Sequence, residues 1–162
     1  KVLGDSIKEN LPEEYDKILF TYHGIPERHD NKALRAAKIS KLPIETYRNQ
    51  CFETTRLLTE YLQLPEDKYT TSFQSRLGRD PWIKPYTDYV LEEFPEQGVK
   101  NLVVCSPAFV ADCLETLEEI SMEGQEEFLK AGGEQFTYIP CLNNRQEWVD
   151  TLVKWLKGWQ NN

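Results

Sequence analysis

The sequence predicts a single α/β domain: a four-stranded parallel sheet flanked by helices on both faces, a Rossmann-like layer sandwich. Two observations carry this. Short β-rich apolar runs alternate with longer stretches of helical period, the pattern of βαβ units. The chain also has 162 residues, 40% of them hydrophobic, which is enough for one substantial core but not for two independent domains. Strand order is not written in such a pattern.

The first predicted strand covers residues 17–22. The polar stretch 27–41 that follows reads as a loop with room for a helical turn. A helix is predicted over 44–64, where Tyr47, Cys51, Thr55, Leu58 and Leu62 recur at helical steps. Leu64-Pro65 ends it, because the residue before a proline avoids the α region. The second strand is 69–73, and a helix over 83–94 follows Asp80-Pro81, with Gly98 turning the chain into a third strand at 101–105. A third helix is expected from an N-cap at Asp112 to about Ala131, where Gly132-Gly133 stops it. The fourth strand is 135–139. A last helix, 145–156 with Asn143 or Asn144 as its cap, is expected to bury Trp148, Val149, Leu152, Val153 and Leu156.

Charge narrows the function classes. Acids outnumber bases 27 to 19, for a net charge of −8, which argues against a nucleic-acid surface because phosphate binding relies on clustered Lys and Arg. Cys51, Cys105, Cys113 and Cys141 are widely spread and form no CxxC pair, so neither a zinc ribbon nor an iron–sulfur loop is expected. They read as reduced thiols. No stretch approaches the ~20 apolar residues of a transmembrane segment, and the first residues lack a signal-peptide core. The expected location is therefore cytoplasmic, with peripheral membrane association left open. Lys1 opens on Val-Leu-Gly-Asp-Ser-Ile without an initiator Met, which suggests part of a longer protein.

In open α/β sheets ligands bind beyond the carboxyl ends of the strands, so residues just after the strands are the first candidates for function. Tyr22-His23-Gly24-Ile25-Pro26 places a histidine at the tip of the first strand, where it can be a neutral metal ligand or a proton acceptor near pH 7. Residues 107–115 follow the third strand and carry Glu115 in the first turn of a helix. Glu115, Glu119 and Glu123 then fall at i, i+4 and i+8, one face of that helix. By pattern alone Glu119 and Glu123 read as a solvated acidic face, because Glu118, Glu126 and Glu127 share their side while Leu117, Ile120 and Phe128 lie opposite. The third place, Ser72-Phe73-Gln74-Ser75-Arg76-Leu77-Gly78, leads to Trp82, whose indole could face a flat aromatic ligand, with Phe109 as a second surface. It is not a phosphate loop, since it has neither GxGxxG nor GxxxxGK[ST]. Nucleophilic cysteine chemistry is weakly signalled, His29 has no identifiable partner, and no cofactor loop is visible.

These residues resemble the ferrochelatase family over nearly the whole chain. Tyr22-His23-Gly24-Ile25-Pro26-Glu27-Arg28 is similar to the family's strand-end histidine motif. Residues 72–78 with Asp80-Pro81-Trp82 resemble its second block, and residues 109–119 with Asp112-Cys113-Leu114-Glu115-Thr116-Leu117-Glu118-Glu119 its third. The family fold pairs two similar α/β domains around a porphyrin cleft, and the chain resembles the second of them. The resemblance implies a lyase that inserts ferrous iron into protoporphyrin IX to form protoheme, the last step of heme biosynthesis. No organic cofactor and no iron–sulfur cluster are implied, with Fe²⁺ as the substrate metal. His23 and Glu115 are implied as the catalytic pair and as metal ligands, Glu119 and Glu123 as further metal positions, and Tyr22, Trp82 and Phe109 as the porphyrin surface. Asp112 matches an acidic position beside the catalytic Glu. The implied partner is the family's N-terminal domain, and alone this half is expected to turn over little or nothing.

The chain also departs from the family. Lys41-Leu42-Pro43-Ile44 stands near a Gly-Asp-Pro-Tyr-like stretch of many relatives, Cys113 stands where some place His, and the end at Trp159-Gln160-Asn161-Asn162 lacks their cluster cysteines. Two rival readings stay open: a non-catalytic metal- or tetrapyrrole-binding module, and a related cobalt or nickel chelatase.

Overall fold

The computed structural model describes residues 1–40 and 45–160. The stretch from Lys41 to Ile44, the predicted helix start at Ile44, and Asn161 and Asn162 lie outside the described residues.

Four strands, β1 (Lys17–His23), β2 (Tyr69–Gln74), β3 (Asn101–Cys105) and β4 (Gln135–Tyr138), form one parallel sheet in the order β2-β1-β3-β4. Because successive side chains of a strand point to opposite faces, the apolar runs feed two cores. Ile18, Phe20 and Tyr22 of β1 and Val103 and Cys105 of β3 pack on one face with Ile7 of α1 (Val2–Asn10) and Cys51 and Leu58. The last two belong to α3 (Tyr47–Leu62), which follows α2 (Glu27–Ser40). Leu19, Leu102 and Val104 pack on the other face with Val90 and Leu91 of α4 (Thr87–Glu93). Ile120 and Phe128 complete that second core, from a helical run made of α5 (Leu114–Thr116), a π-helical segment (Leu117–Gly124) and α6 (Gln125–Lys130). The layer sandwich read from the sequence is therefore what the chain forms, and α7 (Gln146–Gln160) follows β4 as the last described element.

Several elements differ from expectation. Residues 27–40 are helix, not loop: α2 follows Pro26 with Glu27 and Asp30 in its first turn and Lys38 in its last, and it is built from strong helix formers but is so polar that it reads as a solvated stretch. Its Asp30 is buried and accepts the Arg48 N–H at 3.1 Å. α1 is not among the predicted elements, since at nine residues it is too short for a helical period to repeat more than twice; Gly4 rests against the Tyr61 ring of α3, where a Cβ would meet it at 2.4 Å.

α4 starts at Thr87 rather than 83 because residues 83–86 are spent on backbone bridges: Ile83 N–H donates to Ile25 O, and the Phe73 N–H donates to Pro85 O. The third helix begins after Cys113, not Asp112, and widens to π geometry in its middle. The last helix buries none of the residues assigned to it: Val149, Leu152, Val153 and Leu156 are 38–55% exposed, and Trp148 is half-buried against Trp155. Neither asparagine caps that helix in the predicted way; Asn143 is bonded elsewhere. The four cysteines form no disulfide, and no helix among the described residues is long and apolar enough to cross a membrane.

Candidate functional site

His23 is the last residue of β1, in register with Gln74 at the end of β2. Its Nδ1 lies 2.7 Å from the Gly24 carbonyl oxygen. A carbonyl only accepts, so Nδ1 carries a hydrogen, and in the uncharged ring Nε2 is the nitrogen whose lone pair can take a proton or a metal. The His23 carbonyl is pinned by the Tyr47 hydroxyl at 2.7 Å, which ties the strand tip to the start of α3.

The turn after His23 is zipped to the Trp82 loop. Glu27 N–H donates to Pro81 O, Ile83 N–H to Ile25 O, and Gly24 N–H to Gln74 O at 2.8 Å. Gly24 has to be glycine, because a Cβ there would meet Gln74 O at 2.9 Å and the Trp82 ring at 3.1 Å. The Trp82 ring consequently stands 6.3 Å from the His23 ring, centroid to centroid, and its indole N–H is fixed on Leu77 O at 2.9 Å.

Glu115 sits in α5, on the same side of the sheet. Cys113 caps that helix reciprocally with Thr116: the Thr116 hydroxyl accepts the Cys113 N–H at 2.9 Å, and the Thr116 N–H faces the thiol. The Glu115 carboxyl titrates below the usual carboxylate range, chiefly through the Cys113 thiol beside it and its own N–H, with a smaller contribution from His23. The anion is therefore the form present at neutral pH, near the His23 ring. Gln74 links the two groups: it neighbours His23 in the sheet, accepts from the Thr21 hydroxyl at 3.1 Å and donates to the Glu115 carbonyl at 2.7 Å. A side-chain amide on a helix carbonyl competes with the regular α ladder, and the helix widens to π geometry two residues on.

Glu119 and Glu123 do not join the pair. They line a separate cleft of about 160 Å³ together with Asp88, Glu127, Ser75 and Arg76, and neither His23 nor Glu115 reaches it. Among the described residues no three His, Cys, Asp or Glu side chains come together tightly enough to hold a metal ion, so the four predicted metal positions are not one ligand set. Glu119 is anchored by Ser75, through both its N–H and its hydroxyl, and by the Gln74 amide at 3.2 Å. Glu127 titrates above the usual range because burial and the nearby charges of Asp88, Glu92 and Glu123 disfavour its anion. Arg76 supplies the counter-charge at the cleft, 2.8 Å from Asp88 and stacked at 4.3 Å on Tyr86.

Tyr22 is misplaced as a ligand contact. It is 1% exposed, and its hydroxyl pairs with Thr55 at 2.9 Å, because one residue along a strand reverses the face and turns Tyr22 into the α3 core. Phe109 is half-buried and lines a crevice of about 10 Å³ with Leu3, Ile7 and Ile139, on the α1 side of the sheet. Gln74, Ser75 and Arg76 were given no role from the sequence. The available signal was their place after a strand in a Gly-containing loop, and Ser75 has a left-handed backbone at φ 64°. Leu77, Val110, Leu114 and Leu117 are 49–79% exposed, which leaves apolar surface on the segments that carry Trp82 and Glu115.

A family model described as ferrochelatase matches residues 1–158. The chain is 46% identical over 159 residues to a ferrochelatase of Legionella pneumophila (strain Corby), an alignment covering 94% of this chain and 46% of that protein. It is 44% identical over 166 residues to a ferrochelatase of Pseudomonas putida, covering 94% and 49%. The chain thus spans about half the length of the curated relatives it matches.

Proposed function

This chain belongs to the ferrochelatase family, and we propose that within the complete protein it supplies the half of the active site that inserts Fe²⁺ into protoporphyrin IX. Balanced, the reaction takes up Fe²⁺ and releases two protons from the pyrrole N–H groups. His23 Nε2, its lone pair left free by the Nδ1 bond to Gly24 O, accepts a pyrrole proton or holds the metal at one face of the ring. The Glu115 carboxylate does the complementary work across the ring. Trp82, fixed beside His23, offers the flat wall, and Phe109 an apolar surface at the end of β3. Glu119 and Glu123 act at one remove, in the acidic cleft, as a place for the metal or released protons to pass.

The observation that carries this reading is an imidazole at the tip of β1 and a carboxylate anion in α5, joined through Gln74. The test is anaerobic metallation of protoporphyrin IX by the complete protein. His23→Ala and Glu115→Gln are each expected to lower kcat by about 10²-fold or more, the scale of a positioned acid–base group. Normal turnover by the His23→Ala variant would replace this reading with that of a binding module.

The partner is the other half of the family's length. The exposed Trp155, Leu156 and Trp159 of α7 support it, since a 15-residue amphipathic helix with no buried residue stands ready for a second body. Isolated, the chain is expected to show little or no turnover. The same reading places the protein in the cytoplasm or at the membrane surface, and it requires no organic cofactor.

A further inference from the structure

We propose that Asn143 is a positioning residue for Glu115, acting as a clamp that fastens the segment ahead of α5 to the end of β4. This rests on the reading of Glu115 as a reacting group. By sequence Asn143 looks like a helix cap, yet α7 begins three residues later and the Asn143 side chain turns the other way.

Every polar group of Asn143 that can bond toward the 110–112 segment does so. Its Oδ1 accepts the Asp112 N–H at 2.8 Å, its Nδ2 donates to Asp112 Oδ2 at 2.7 Å and to Cys141 O at 3.2 Å, and its own N–H donates to Val110 O at 2.9 Å. The backbone geometry that allows this is left-handed, φ 49°, a conformation asparagine tolerates better than most residues. Asp donates nothing from its carboxylate, and Gln carries the amide one carbon too far out.

Asp112 passes the constraint on. Its other oxygen, Oδ1, accepts the Tyr138 hydroxyl at 3.1 Å, the Thr116 hydroxyl at 3.1 Å and the Cys141 N–H at 3.4 Å. Both carboxylate oxygens are thus occupied as acceptors, which makes Asp112 an anchor and not a base. Thr116, fully buried, also takes the Cys113 N–H. Glu115 is therefore held between two fixed points, Asp112 before it and Thr116 after it, and Asn143 is the part of that frame contributed by β4's exit. Asn143 itself is exposed, so replacing it leaves both cores intact.

The experiment uses Asn143→Gly in the complete protein, which keeps the left-handed backbone and the bond to Val110 and removes only the amide. Hydrogen exchange at the Asp112 amide is expected to quicken by about 10-fold or more, while the unfolding midpoint moves by less than about 3 °C. Metallation kcat should fall by about 10-fold with the porphyrin KM unchanged, as expected for misplacement of a reacting group. Asn143→Asp, which sets a carboxylate against Asp112, should do at least as much harm.

The double variant Glu115→Gln/Asn143→Gly should be no slower than Glu115→Gln alone, because a clamp that works through Glu115 has nothing left to position. Unchanged exchange at Asp112, kcat within about two-fold of the parent, or fully additive losses would each overturn the clamp. A parent protein that metallates nothing sinks the functional reading instead, and the exchange measurement then judges the clamp by itself.

Discussion

At the scale of single residues, the chemistry is decided by which atoms are already committed. His23 has one ring nitrogen spent on Gly24 O and one free; Asp112 has none of its acceptors free; Tyr22 has its hydroxyl on Thr55, which also receives Thr71 at 3.0 Å. Tyr22→Phe should therefore cost about 1 kcal/mol in urea unfolding, the net worth of one hydrogen bond, and leave the porphyrin KM as it was. A raised KM with unchanged stability would restore Tyr22 to the ligand surface. Glu127 gives a pH prediction. Its raised titration means that the folded state holds the proton more tightly than the unfolded chain, so stability is fully present below the ordinary Glu range and is lost as pH rises through the raised one. Glu127→Gln, which stays neutral, is expected to unfold about 1–2 °C higher than the parent at pH 7 and to match it near pH 4. Thermal melts at the two pH values decide it.

At the scale of elements, the strands were legible because a buried parallel strand is a short, dense apolar run, and all four fall within a residue of the predicted limits. The helices were less so. α2 is a mostly polar helix with few apolar residues to mark it, and the π segment depends on a partner 41 positions away in sequence, the Gln74 amide on the Glu115 carbonyl, that no local pattern contains. The acidic row at i, i+4 and i+8 was correct as a spacing, yet its members serve different places: Glu115 lies beside His23's strand end, whereas Glu119 and Glu123 line the cleft by Asp88. Gly133 shows how tightly the end of α6 is held, since a Cβ there would meet the buried Phe128 ring at 2.2 Å. Gly133→Ala should destabilise the fold by about 1–3 kcal/mol through displacement of that ring, read as a lower denaturant midpoint at unchanged slope. A variant as stable as the parent would mean that Phe128 has another rotamer open to it.

At the scale of the whole molecule, α7 is the element whose sequence and surroundings disagree. Its apolar stripe predicted burial, but its side chains stand out from the described fold. If that stripe meets the other half of the protein, Trp155→Glu with Leu156→Glu should weaken association of the two halves by at least about 10-fold while the melting point of this chain alone stays put. Unchanged association, measured by titration calorimetry, would move the docking surface elsewhere. The sequence by itself determined the layer fold, the strand ends and the presence of a histidine and a carboxylate there, because burial and period are local properties of a chain. Only the tertiary structure decided the strand order, the tautomer of His23, the division of the acidic row and the exposure of α7, because each depends on which distant group arrives at hydrogen-bonding or van der Waals distance.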